Sequence, residues 1–113
     1  MGRRERLLQA KLKGEFFTLE AKQKKAKAQL AKLRSSLSTL EDGVREELAQ
    51  LAEARTLGDI PLMGRKESTI ESYRTQAAQK RTRVDAKQEE LDNINAQLES
   101  VSEGLEKLKG LGF

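Results

Sequence analysis

Residues 56–67 read TLGDIPLMGRKE, and turn-forming residues crowd together here as nowhere else in the 113-residue chain. Gly58 and Gly64 admit conformations closed to other residues, Asp59 can bond its neighbouring backbone, and Pro61 fixes φ and lacks an N–H. The stretch predicts a loop over 56–67 between two helices, the first over about 3–55 and the second over about 69–109. Ser68 with Glu71 three residues on has the pattern of a capping box and is expected to open the second helix. Gly110 and Gly112 suit its end.

Working outward from the loop, both flanks carry a seven-residue apolar period. With Leu30 at position a, the first segment places Phe16, Gln23, Leu30, Leu37, Val44 and Leu51 at a. Its d positions are Leu12, Leu19, Ala26, Leu33, Leu40, Glu47 and Ala54, so only Gln23 and Glu47 break the apolar seam. The second segment has Ile70, Ala77, Val84, Leu91, Leu98 and Leu105 at a. Tyr73, Lys80, Lys87, Ile94, Val101 and Leu108 stand at d, where two lysines interrupt. Stripes this narrow and this long belong to a coiled-coil seam rather than to the broader face of a globular-domain helix. The fold class expected is all-α, with the whole chain forming one long antiparallel two-helix coiled coil, a helical hairpin.

Charge gives the pairing sense. Residues 1–34 hold 11 basic and 3 acidic side chains, and residues 35–55 hold 2 and 5. Residues 56–87 hold 7 and 4, and residues 88–113 hold 2 and 6. Folding at Leu62 sets each basic block against an acidic one, whereas a parallel arrangement sets basic against basic. Such a fold makes facing seam residues total 124: Leu51 meets Tyr73, Val44 meets Lys80, Leu33 meets Leu91, Gln23 meets Val101 and Phe16 meets Leu108. Lys80 and Lys87 are then expected near Glu46 and Glu47. The second helix would end opposite Glu15, leaving Leu7, Leu8 and Leu12 on an uncovered basic arm.

The same composition excludes much chemistry. Cysteine and histidine are both absent, which removes thiolate nucleophiles, thiolate metal sites and the side chain most readily poised near neutral pH. The glycines follow no phosphate-loop spacing. No enzyme, no catalytic residue, no metal and no cofactor are therefore expected. No run approaches the ~20 apolar residues of a membrane span, and Lys11, Lys13 and Glu15 interrupt the opening MGRRERLLQAKLKGEFF as a signal-peptide core. The expected location is cytoplasmic.

Several apolar residues fall outside the seam or beyond the reach of the second helix and are candidates for partner binding. In the loop these are Leu57, Ile60, Leu62 and Met63, which either plug the open end of the hairpin or meet another subunit. Phe17 cannot share the seam with Phe16, so it either packs on Leu111 or Phe113 or stands out as an anchor. Leu7, Leu8 and Leu12 form the strip on the basic arm, either a frayed end or a docking segment. The run Lys22, Lys24, Lys25, Lys27 and Lys32 is expected to be matched by the acidic C-terminal segment, which leaves little of it for phosphate.

On that basic opening, the two long heptad helices and the short central turn, the chain resembles the coiled-coil stalk proteins of the flagellar and type III secretion export apparatus, the FliJ/YscO-like group. The resemblance covers nearly the whole chain. It implies an antiparallel coiled coil that enters a hexameric export ATPase and contacts the membrane export gate. Leu7, Leu8, Leu12 and Phe113 would then lie at the ATPase end, and Leu57 to Met63 would face the gate or another export component. Attachment to the inner membrane would be peripheral, through the complex. The function expected is a non-enzymatic stalk or adaptor of a cytoplasmic protein machine. The alternatives are a structural or chaperone-like coiled-coil subunit, or a binder of nucleic acid or an acidic surface, with nucleic acid ranked behind a protein partner.

Overall fold

The computed structural model describes residues 2–110, and in it the chain reverses at Gly58 and Asp59. Helix α1 (Arg3–Leu57, 55 residues) ends as Gly58 takes φ +66°, a left-handed conformation open to glycine at no steric cost. The Gly58 N–H donates to the Arg55 carbonyl (3.1 Å) and the Asp59 N–H to the Ala54 carbonyl (3.0 Å). Two carbonyls that the helix end would leave open are thereby satisfied, in the pattern of a Schellman motif. Asp59 then starts α2 (Ile60–Gly110, 51 residues): its carboxylate accepts from the Leu62 N–H (3.1 Å) and its carbonyl from the Met63 N–H (2.9 Å). The result is the all-α helical hairpin expected, with no strand among the described residues.

The turn itself corrects the expected loop. Residues 60–67 are helical rather than looped, and α2 begins at Ile60 instead of near Thr69. Pro61 does not break it, because it stands in the first turn, where amides have no carbonyl partner within the helix and its missing N–H costs nothing. Ser68 and Glu71 lie inside α2 and cap nothing.

Every a and d position named above is buried or half-buried, including Gln23, Glu47, Lys80 and Lys87. The seam of α2 also extends backward through Met63 and Lys66, which continue the same period and are half-buried. Two compact units make up the chain. The turn unit is Leu30–Ala86; the terminal unit joins the segment up to Gln29 with the segment from Lys87 onward.

In each unit the helices pair antiparallel, one heptad away from the expected register. Within the turn unit, the Tyr73 ring lies over Gly43, where a Cβ would sit 3.2 Å from Tyr73 Cε2. Within the terminal unit, Leu12 lies against Gly104, where a Cβ would sit 3.3 Å from Leu12 Cδ1, and Gln23 Nε2 donates to Asn95 Oδ1 (2.7 Å). The numbers of these facing residues total 116, 116 and 118, in keeping with a reversal between Gly58 and Asp59. The expected partners of Tyr73, Phe16 and Gln23 (Leu51, Leu108 and Val101) are therefore displaced by about seven residues, or ~10 Å of helix. Gly43 and Gly104 have a local use: each lacks a side chain where a bulky residue of the other helix packs closely.

Two outcomes follow from the turn. Gly58→Ala should lower the unfolding free energy by about 1–2 kcal/mol, because a Cβ opposes the left-handed conformation. Urea titration should show a lower midpoint at unchanged slope. Oxidation of a Val44→Cys/Tyr73→Cys double variant should close a disulfide within one chain. Leu51→Cys/Tyr73→Cys should not, since its partners lie a heptad apart and beyond disulfide reach; the reverse pattern would restore the loop-centred register.

Candidate interaction surfaces

In the turn unit, charge is used across the helix pair. Lys66 Nζ lies 3.0 Å from Glu47 Oε2 and also donates to Gln50 Oε1. The side chains of Lys66 and Glu47 are 22% and 17% exposed, so this is a polar layer inside the seam. Glu47 Oε2 is buried without a hydrogen bond, and its charge rests on the Lys66 ion pair. Arg55–Glu67 (3.8 Å) and Arg81–Glu41 (3.9 Å) bridge the helices near the surface. The expected meeting of Lys80 and Lys87 with Glu46 and Glu47 does not occur in this form. Lys66 takes Glu47, and Lys87, in the terminal unit, bonds Glu90 of its own helix (2.7 Å).

The apolar residues of the expected loop divide in two. Leu57 and Ile60, on either side of the Gly58–Asp59 reversal, are 74% and 75% exposed. Leu62 and Met63 are half-buried, with Met63 on the seam. The reversal supplies the reason, since it ends the seam between Ala54 and Met63 and turns Leu57 and Ile60 outward. Leu48, off the seam beside Glu47, is 38% exposed and shares a groove with Leu51, Ile70, Ala78 and Arg74. Heptad counting gave no cause to mark that groove.

In the terminal unit, Leu7 and Leu8 are exposed (64% and 46%), as is Phe17 (70%). Leu12 is half-buried against Gly104 and does not belong to an uncovered arm. The earlier start of α2 carries its far end one heptad further along α1, so Glu15 is not the limit of coverage. Phe113 and Leu111 lie outside the described residues. Lys22, Lys24, Lys25, Lys27 and Lys32 form no ion pair within 4.0 Å among the described residues, contrary to the match expected with the acidic segment. Across the groove from Lys22 stands neutral Gln97.

Among the described residues no helix is long and apolar enough to cross a membrane, and no group of three or more acidic side chains is gathered as metal ligands would be. No protein-family model, curated protein or solved structure matches the chain.

Leu57→Ser/Ile60→Ser should change stability by no more than about 0.5 kcal/mol, because both side chains already meet water. Chemical denaturation checks this; a loss of about 2 kcal/mol or more would mean that they plug the end of the helix pair.

Proposed function

We propose that this chain is a non-enzymatic helical-hairpin stalk or adaptor that joins other proteins within a cytoplasmic machine. The observation that carries this reading is the placement of its exposed large apolar side chains. Leu57 and Ile60 flank the helix reversal, and Leu7 and Leu8 lie in the first turns of α1. Side chains that add nothing to the seam yet remain apolar suit contacts completed by another protein. Arg3, Arg4 and Arg6 beside Leu7 and Leu8 favour an acidic rim on whatever covers them. The resemblance to export-apparatus stalks gives the specific form of the proposal. The Leu7–Leu8 end would enter a hexameric export ATPase, and the Leu57–Ile60 end would meet the export gate or another export component.

Photocrosslinkers placed singly at Leu8, Ile60 and the exposed Glu53 test the reading in cells. Leu8 and Ile60 should each give a discrete protein adduct and Glu53 none. Adducts equally abundant at all three positions, or absent from all, would sink the adaptor reading. A purified hexameric export ATPase should be captured by the intact chain and lost by more than tenfold on Leu7→Ser/Leu8→Ser. Discrete adducts without that capture would retain the adaptor and reject the export assignment.

A further inference from the structure

The outer face of α1 in the terminal unit departs from what a two-helix coiled coil requires. Away from its seam such a helix meets only water and is ordinarily charged. Leu7, Ala10, Gly14, Phe17, Ala21 and Ala28 instead follow one another along that face at alternating steps of three and four, all exposed, with Lys24 the sole interruption. This is the spacing of a seam, repeated on the side of α1 turned away from α2. A Cβ built on Gly14 would meet nothing within 4 Å, so nothing in the chain covers the face there. On α2 of the same unit the corresponding outer positions are Glu89, Asp92, Glu99, Glu103 and Glu106 around a single Ala96. Alanine suits any exposed helix position, so the alanines alone decide nothing. Phe17 (70% exposed) and Leu7 (64%) lie on the same line and have no apolar neighbour to cover them. One edge of the line carries Arg4, Lys11 and Lys25, the other Arg6, Lys13 and Lys27, and Glu20 is the one acidic residue along these edges. None of the six cations has an ion pair within 4.0 Å among the described residues. The seam makes no use of Lys13 and Lys27 either, since the facing flank of α2 presents Asn95 and Ser102.

We propose that this face of α1 binds a helix of a partner protein that is apolar along its centre and acidic along both edges. The inference rests on the adaptor reading of the Leu7 end and gives the chemistry of the protein that covers it. Ala10, Gly14, Ala21 and Ala28 leave room for bulky aliphatic side chains of the incoming helix, so the axes reach the ~8–10 Å of packed helices. Phe17 is the large anchor at the centre of the contact. Carboxylates along the edges of the incoming helix meet the two rows of cations, which orient it and speed its docking. Lys24, on the line itself, lays its stem over apolar surface and keeps its ammonium in water.

Other occupants use the face less fully. A nucleic acid would engage the cations, but phosphate contacts have no use for an apolar line through Leu7 and Phe17. A lipid surface rewards bulky side chains, and four of the six uncharged positions hold Ala or Gly, which bury little. A second copy offers no suitable helix in this unit. Its α1 repeats the cations, and the outer face of its α2 is charged along the centre, where apolar side chains are needed.

Benzoylphenylalanine placed singly at Phe17, at Ala21 and at the exposed Glu103 of α2 tests the proposal in cells, read by mass spectrometry of the crosslinked segment. Phe17 and Ala21 should mark the same protein and Glu103 should not. The marked segment should carry Asp or Glu on both sides of a seven-residue apolar repeat. Made as a peptide, that segment should bind the purified full chain. Lys11→Glu/Lys13→Glu/Lys25→Glu should raise its Kd at least ~10-fold at ~150 mM salt while keeping the parent's far-UV helical signal. Phe17→Ser should raise Kd by a similar factor without changing the salt dependence. Lys11→Gln/Lys13→Gln/Lys25→Gln supplies the same readout if the reversal unfolds the chain. A marked segment without acidic edges overturns the proposal, as does an affinity indifferent to the lysine and Phe17 changes. So does a parent that retains an RNA oligonucleotide or phosphatidylserine vesicles while neither Phe17 nor Ala21 marks a protein. Adducts at Leu8 and Ile60 with none at Phe17 or Ala21 would reject this face and leave the adaptor reading standing; adducts at none of the four would end both.

Discussion

Everything about the pairing of α1 with α2 depends on one constraint, the left-handed turn at Gly58 followed at once by the Asp59 cap. The two residues satisfy amides and carbonyls on both sides of the reversal, leaving no slack for the chain to slide. Slippage by one residue would move the whole apolar seam off the interface, and slippage by seven would preserve the seam while changing every partner. The turn removes the second freedom, which the heptads alone cannot. Interactions farther along can then be specific. Tyr73 finds Gly43 rather than a bulkier neighbour, and Lys66 reaches Glu47 and Gln50 instead of facing an apolar layer.

The polar interruptions of the seam have different costs. Gln23 leaves the apolar layer but bonds Asn95, so its amide is satisfied across the pair. Glu47 carries an oxygen with no hydrogen bond, held by the Lys66 charge alone. A partly buried ion pair gains little net stability over apolar side chains of like size, and removing one partner strands the other. Such a layer stabilises less than leucines would, but it disfavours registers in which either charge meets an apolar residue. The turn unit thus has a second register device close to the first, built from side chains instead of backbone.

How much of this was legible in the sequence follows from what a seven-residue period encodes. It defines faces, and each seam position derived from it, from Leu12 to Leu108, is buried or half-buried. It says nothing about which heptad meets which, because shifting one helix by seven residues leaves both faces unchanged. Charge blocks 21 to 34 residues long are too coarse to separate two registers a heptad apart. The deciding signal is local: Pro61 reads as a turn residue, yet two residues after a capping Asp it sits in the first turn, where a helix accepts it. From that one shift came the errors at Leu12, at the limit of α2 coverage and at the partners of Lys80 and Lys87. The surface residues Leu57, Ile60 and Phe17 were visible as apolar positions off the seam, but nothing in the period separated their exposure from the half-burial of Leu62.

A turn that fixes register also changes what the charges have to do. In the absence of a tight reversal, opposite charges flanking the seam would be needed to choose antiparallel over parallel pairing. Here a two-residue connection makes parallel pairing impossible, so cross-helix ion pairs are not required for orientation. The turn unit keeps three of them, and among the described residues of the terminal unit there are none. In that unit the α1 flanks still carry Lys13, Glu20, Lys22 and Lys27, but the facing α2 flanks hold Asn95, Gln97 and Ser102, so opposite charges do not meet there. Orientation is fixed by the backbone of the turn, and exposed charges beyond reach of one another add little to it.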